Sequence, residues 1–358
     1  LISVLPTNHI RSLDALRGLA ALSVVLFHYG VAILPSITPN PLTEFLRPGR
    51  LGLHVFFVIS GFVIPYAMHR SGYTWSTFGT FLARRWVRLG PPAYAAACLM
   101  ILYYVLAMWS KGSPVNTAEF PGFGAEAIWT NLTFTVGLTE QPGDEPGGYW
   151  YNFVYWSLAI EFQFYILLGL LFPLLMNAQR KWLSPVVMIA LLFISAFPSV
   201  MFFHYTVYFL LGLLAFQRHA LFIGTPQFTV SCLVCSAVGI ADGHTAETIV
   251  SLGAAAVILA TPAGIPRPFL WLGTISYSLY ILHPPVGYFM DSIGKRVTDI
   301  HNDPYGKVVL LFLYTAITIC LSWVFYRLVE KPFLKWSKRI GKGNSQRTSS
   351  TLSTEVVP

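Results

Sequence analysis

LDALRGLAALSVVLFHYG, residues 13–30, decides how this chain is read. From Leu19 to Phe27 it is apolar except for Ser23, the pattern of a helix that crosses lipid. Yet Asp14 and Arg17 stand at its entrance and His28 well inside. Ionisable groups within a span cost roughly 2.5–3.5 kcal/mol each on insertion scales, so they face a cavity or a partner. Arg17 and His28 are eleven residues apart. At 100° per residue that is about 20° beyond three full turns, which puts both on one helix face roughly 16 Å apart. Asp14, three residues before Arg17, is within pairing reach of it. The helix alone leaves two readings open. One is an entrance salt bridge with a hydrogen-bonded core histidine; the other is a functional stripe.

Composition supports the membrane reading. The chain is 55% hydrophobic and only 11% charged, too little charge to cover a soluble protein of 358 residues. Cys98, Cys232, Cys235 and Cys320 all lie in apolar segments. The Cys232–Cys235 C-x-x-C pair lacks the second pair or histidines of a zinc set, so helix packing is expected and no metal site is. The net charge of +8 has no basic helix–turn–helix or aromatic–basic sheet pattern behind it, so no nucleic acid is expected.

A span needs about 20 apolar residues. Candidate spans fall at 14–34, 50–68, 89–109, 154–176, 183–198, 201–217, 227–242, 246–262, 268–290 and 306–329. The run 184–216 would be about 50 Å long as one helix, so a turn at Pro198–Ser199 is expected. With ten spans and a cytoplasmic N-terminus, Arg84, Arg85, Arg88 and the basic tail fall inside, while most acids fall outside. The first helix is read as a retained span rather than a signal peptide. The expected fold is all-α: a polytopic membrane protein of about ten transmembrane helices around an intramembrane catalytic cavity. Residues 1–336 form its single domain, and 337–358 a basic, then Ser/Thr-rich, disordered cytoplasmic tail. The sequon Asn131-Leu132-Thr133 matters only in a host that glycosylates proteins.

Further polar residues lie in apolar surroundings. In GRLGLHVFFVISGFVIP, residues 49–65, Gly52, Phe56 and Ser60 recur at i, i+4 and i+8, a face that permits close helix approach or ligand contact. His54 is expected near an interface. FLARRWVRLGPP, residues 81–92, places Arg84, Arg85 and Arg88 just before Pro91 and Pro92. These arginines serve either as topology anchors or as a phosphate clamp, since guanidinium forks match phosphate oxygens. WSLAIEFQFYIL, residues 156–167, brings Trp156 and Glu161, a carboxylate that needs a partner or a chemical role. GTISYSLYILHPPV, residues 273–286, adds Tyr277, Tyr280 and His283.

Together these motifs resemble the membrane-bound acyltransferase family three. RSLDALRGLAALSVVLFH, from Arg11 to His28, is similar to that family's R-x10-H signature. The segments just quoted resemble its later motifs, in order, from about residue 11 to 335. The family often carries an acid where this chain has His54, which leaves no acid role at that position. Many relatives carry an added extracytoplasmic domain; this chain is expected to be a stand-alone member.

The resemblance implies acyl transfer, commonly of acetyl, from cytoplasmic acyl-CoA to a carbohydrate hydroxyl, with acyl-CoA as a co-substrate and no permanently bound cofactor. His28 is then the base or acyl relay and Glu161 orients acceptor or histidine. Arg17, held by Asp14, meets the phosphate or pantetheine of the donor, and Arg84, Arg85 and Arg88 its 3′-phosphate and pyrophosphate. Ser60, Trp156, Tyr277 and His283 are expected to contact substrate. The location implied is a bacterial inner membrane. The competing reading is an exporter of a glycan or small anion using the same His28, Arg17 and Glu161 as a proton relay; no inverted repeat is visible in its favour.

Overall fold

The computed structural model describes residues 10–33, 41–111, 123–135, 150–195, 202–260, 264–297 and 304–341. Among these residues there is no strand. Helices are the expected outcome, because lipid offers a backbone N–H or C=O no partner outside its own segment. In order they are α1 (Arg11–Phe27), α2 (Pro41–Leu46), α3 (Gly52–Arg70), α4 (Phe78–Lys111), α5 (Ala125–Thr133), α6 (Tyr155–Leu175), α7 (Leu183–Ser195), α8 (Thr206–His219), α9 (Thr225–Ala241), α10 (Thr245–Ala260), α11 (Arg267–Thr274), α12 (Ser276–Val297), α13 (Pro304–Phe325) and α14 (Lys331–Ser337). Among the described residues, five stretches are long and apolar enough to cross a membrane: Arg11–Val31, Pro41–Arg70, Trp75–Ser110, Tyr155–Leu175 and Tyr305–Ser337. Shorter apolar helices accompany them at Leu183–Ser195, Thr225–Ala241 and Thr245–Ala260. The chain is an all-α, multi-pass membrane protein.

Each span expected from sequence has a helix. The split of 184–216 into α7 and α8 is present, although Pro198 and Ser199 lie outside the described residues. Three boundaries differ. α4 begins at Phe78 and runs through Pro91 and Pro92, so the arginines sit inside the helix rather than before it. The expected span 268–290 is broken at Ile275 into α11 and α12. The short helices α2 and α5 were not anticipated. Asn131 lies on α5 and is buried; its amide donates to the Ala127 carbonyl at 2.9 Å and accepts the Tyr151 N–H at 2.9 Å. That removes the sequon as an accessible acceptor. The tail also starts later than expected, since Ser337 is buried and Ile340 is bonded to α4; residues 342–358 lie outside the described residues.

α8 is buried without a break from Thr206 to Gln217, as a helix apolar on all sides must be. α3 lies closest along it. A methyl group at Gly61 would strike the Phe209 carbonyl, and one at Gly212 the Val58 carbonyl, so only glycine permits this approach. The Gly52, Phe56, Ser60 face instead meets α1 through Gly52 and the polar cavity through Phe56 and Ser60. Cys232 and Cys235 are buried in the main apolar core, and the Cys98 thiol is free on the exposed side. Leu102 and Leu106 on α4, Ile166 and Leu170 on α6, and Phe312 and Leu313 on α13 point outward, as lipid-facing side chains should.

Prolines inside helices shape the rest. Each removes the N–H that would bond the carbonyl four residues earlier. Pro173 leaves the Gly169 carbonyl open, and the Tyr73 hydroxyl donates to it at 2.8 Å. Pro285 leaves Ile281 open, and the Asn152 amide donates to it at 2.9 Å. Pro284 leaves Tyr280 open, and the His283 imidazole bonds to it at 2.7 Å. Side chains from elsewhere in the fold, or from the same turn, thus complete the backbone.

Candidate active site

Arg17 on α1 opens into a cavity of about 280 Å³ bounded by α1, α3, α4, α6, α11, α12 and α14. Asp14, Ser60, Arg85, Arg88, Glu161 and Tyr277 line it as well, so residues scattered over five sequence motifs converge there. The Ser60 hydroxyl donates to Glu161 Oε1 at 2.8 Å, and the Tyr165 hydroxyl donates to the same oxygen. Tyr277 donates to the Leu89 carbonyl at 2.6 Å and so fixes α12 against α4 beside Arg88. Three guanidinium groups here face three carboxylates: Asp14, Glu161 and Glu330.

Glu330 was not singled out in the sequence. It ends the π-helical turn Tyr326–Glu330, is buried, and its Oε2 accepts the Ser278 N–H at 3.2 Å and the Ser278 hydroxyl at 2.5 Å. Tyr165 and Ser157 also line the cavity unannounced, beside Tyr280. The only signal for Glu330 was a carboxylate at the end of the last apolar run, in YRLVEKP.

His28 does not line this cavity. It opens the π-helical turn His28–Ile33 at the end of α1, a local widening of the kind that often accompanies functional sites. Its Nδ1 lies 2.9 Å from His283 Nε2, with the ring planes 17° apart. His283 is fully buried, and its Nδ1 lies 2.7 Å from the Tyr280 carbonyl. A carbonyl can only accept, so His283 Nδ1 carries the proton. In the neutral ring, Nε2 then accepts, which makes His28 Nδ1 a donor and leaves the lone pair on His28 Nε2. Tyr29, the next residue, locks the turn in place: its hydroxyl donates to the His283 carbonyl at 2.8 Å and lies 2.7 Å from Thr318 Oγ1.

Tyr280 joins the two parts. Its ring lines the cavity and packs edge-on against Phe56, while it also lies 5.8 Å from the His283 ring. Its hydroxyl is 2.7 Å from Ser157 Oγ, which holds the ring in position. The remaining expected residues fall elsewhere. Arg84 lines a second chamber, and its Nε donates to the Ile340 carbonyl at 2.9 Å. Trp156 packs 5.6 Å from Tyr205, on the side where His54 packs edge-on against Tyr208. Among the described residues no three His, Cys, Asp or Glu are grouped to hold a metal.

The family model described as an acyltransferase domain, Acyl_transf_3, matches residues 10–327. The chain is 25% identical to the O-acetyltransferase OatA of Staphylococcus aureus (strain NCTC 8325 / PS 47), over 92% of this chain and 58% of that protein. It is 24% identical to the putative peptidoglycan O-acetyltransferase YrhL of Bacillus subtilis (strain 168), over 93% and 57%. It is 28% identical to the putative membrane-bound transacylase BcsY of Komagataeibacter xylinus, over 97% and 89%. The chain thus spans less than two thirds of the length of OatA and YrhL. No solved structure matches. Since the match takes in the Arg17–His28 face, the arginines of α4, Glu161 and His283, the chain belongs to the Acyl_transf_3 family of acyltransferases.

Proposed function

We propose that the protein moves an acyl group, acetyl in the simplest case, from acyl-CoA on the cytoplasmic side to a hydroxyl of a carbohydrate acceptor. The observation that carries this reading is the His28–His283–Tyr280 chain, which leaves a basic lone pair on His28 Nε2. The acceptor hydroxyl gives its proton to that nitrogen as its oxygen attacks the thioester carbonyl. The new carbon–oxygen bond forms, the carbon–sulfur bond breaks, and the departing thiolate takes the proton back. His283 holds the proton on His28 Nδ1 throughout and steadies the imidazolium between the two steps.

The donor enters through the arginines. Arg17, with Asp14 in the same cavity, meets the pantetheine or its phosphate, and Arg85 and Arg88 meet the pyrophosphate. Glu161, bonded to Ser60 and Tyr165, balances the arginines and orients the reacting arm. The relatives' names, an O-acetyltransferase and a putative peptidoglycan O-acetyltransferase, support transfer to oxygen. The acceptor class, a cell-surface polysaccharide or glycoside, is proposed from the peptidoglycan that YrhL's name carries. A single acyltransferase domain taking in residues 1–336 and the packed segment after them is proposed from the reach of the family match and that packing, and a bacterial inner membrane with cytoplasmic termini from the separation of basic and acidic loops.

Membranes containing the protein are incubated with isotope-labelled acetyl-CoA and surface polysaccharide. His28→Ala is expected to lower transfer about 10²–10⁴-fold, the range for loss of a general base. A variant that keeps full transfer would remove His28 from the mechanism.

A further inference from the structure

A second chamber of about 870 Å³ adjoins the first, with Arg85, Arg88 and Leu334 lining both. Its size is that of a site for a whole small molecule, and it differs from its neighbour in charge. The first cavity sets three carboxylates against its arginines; the second has Arg84, Arg85, Arg88 and Lys338, and among the described residues no Asp or Glu lines it. Hydroxyls such as Thr80 and Ser337 supply further donors. A half-open space with four cations and, among the described residues, no carboxylate suits a ligand with several phosphate oxygens. The balanced cavity beside it suits an uncharged arm.

One wall belongs to the C-terminal segment. α14 and the turn after it lie across α4, where Thr80, Arg84 and Arg88 follow at i, i+4 and i+8. The Arg84 Nε–H donates to the Ile340 carbonyl at 2.9 Å. Gly341, at φ +75°, closes the contact: a Cβ there would come within 2.6 Å of Thr80 Cγ2. This fastening puts Lys338, an exposed side chain, on the chamber wall.

We propose that the second chamber seats the 3′-phosphoadenosine end of the donor, that Lys338 is a ligand of its 3′-phosphate, and that Arg84 positions Lys338 by holding the C-terminal segment. The proposal rests on acyl-CoA being the donor. It reassigns Arg84 from phosphate ligand to strut and brings in a residue that the α4 motif does not contain. An anionic lipid headgroup offers similar phosphate chemistry, so the test separates the two sources.

The protein in phosphatidylcholine nanodiscs is titrated with CoA and with 3′-dephospho-CoA. The wild type is expected to prefer CoA by about tenfold or more, the scale of a hydrogen-bonded charge contact. Lys338→Gln brings that ratio toward one, and Lys338→Arg keeps it. Arg84→Gln also lowers the ratio, and adding Lys338→Gln to it changes the ratio little further, because both act through one contact. A CoA preference that survives Lys338→Gln, or one missing from a wild type that binds both nucleotides, overturns the proposal while leaving the donor reading intact. Additive losses in the double variant would return Arg84 to the phosphate ligands and overturn its role as a strut. If phosphatidylglycerol added to the nanodisc competes with CoA in the wild type but not in Lys338→Gln, the chamber is a lipid site instead. Binding of neither nucleotide overturns the donor reading itself.

Discussion

Pro284→Ala should make the protein more stable and a poorer catalyst. The wild-type residue has no N–H, so the Tyr280 carbonyl is open to His283 Nδ1 at 2.7 Å. Alanine restores an N–H aimed at that same carbonyl. A proline inside a helix costs about 3 kcal/mol relative to alanine in peptide hosts, and some of this should return as a higher melting temperature. The restored backbone bond competes with the imidazole by about 1 kcal/mol, the net worth of one such bond. That shifts the proton on His283 away from Nδ1 in most molecules and with it the lone pair on His28 Nε2. At 1.36 kcal/mol per tenfold, turnover should fall about five- to tenfold. The assay pairs labelled-acetyl transfer at saturating donor with thermal unfolding in nanodiscs, and nitrogen-15 shifts of the histidines report the tautomer. A variant with wild-type turnover, or one that loses turnover with Nδ1 of His283 still protonated, would refute the reasoning.

Two further outcomes follow from the geometry. Gly212→Ala should destabilise the fold by about 1–3 kcal/mol, because the added methyl meets the Val58 carbonyl between α8 and α3; a melting temperature equal to wild type would contradict that packing. Glu330→Gln keeps the shape and the acceptor oxygen for Ser278 but removes one of three negative charges facing Arg17, Arg85 and Arg88. The more positive cavity should bind free CoA more tightly and release it more slowly, so turnover should fall while the inhibition constant for CoA drops. An inhibition constant that rises would show that the charge balance does not govern donor affinity.

The sequence made the helices and half of the site legible for one reason: charged residues in apolar runs are costly and therefore stand out. Arg17, Glu161 and the α4 arginines were visible on that ground; Arg17, Glu161, Arg85 and Arg88 do share a cavity, while Arg84 lines the neighbouring one. Glu330 was missed because it stands next to Lys331 at the end of a span, where a charge is ordinary. Tyr280 was visible but reads equally well as an interface anchor, and Ser157 was missed because a serine in an apolar helix can bond its own backbone, as it does to the Val154 carbonyl. The partner of His28 could not be read at all. Glu161 was the obvious candidate for orienting it, but the contact is made by His283, 255 residues away in sequence. Only the packing of α12 on α1 creates that pair. The short helices α2 and α5 escaped notice because they fall in stretches without a span-length apolar run.

The helix prolines have a consequence for how the protein is made. A helix without proline enters the bilayer with its backbone bonds complete and can wait there for its neighbours. α12 and α6 cannot, since the carbonyls of Ile281 and Gly169 find their donors only in Asn152 and Tyr73, which lie on other segments. Each such carbonyl left facing hydrocarbon carries a cost of several kcal/mol. Insertion and docking of these helices are therefore coupled: α12 is at home in lipid only once the segment before α6 has arrived, and α6 only once the turn before α4 is in place. The order of assembly is written into the positions of two ring-closed residues, Pro173 and Pro285.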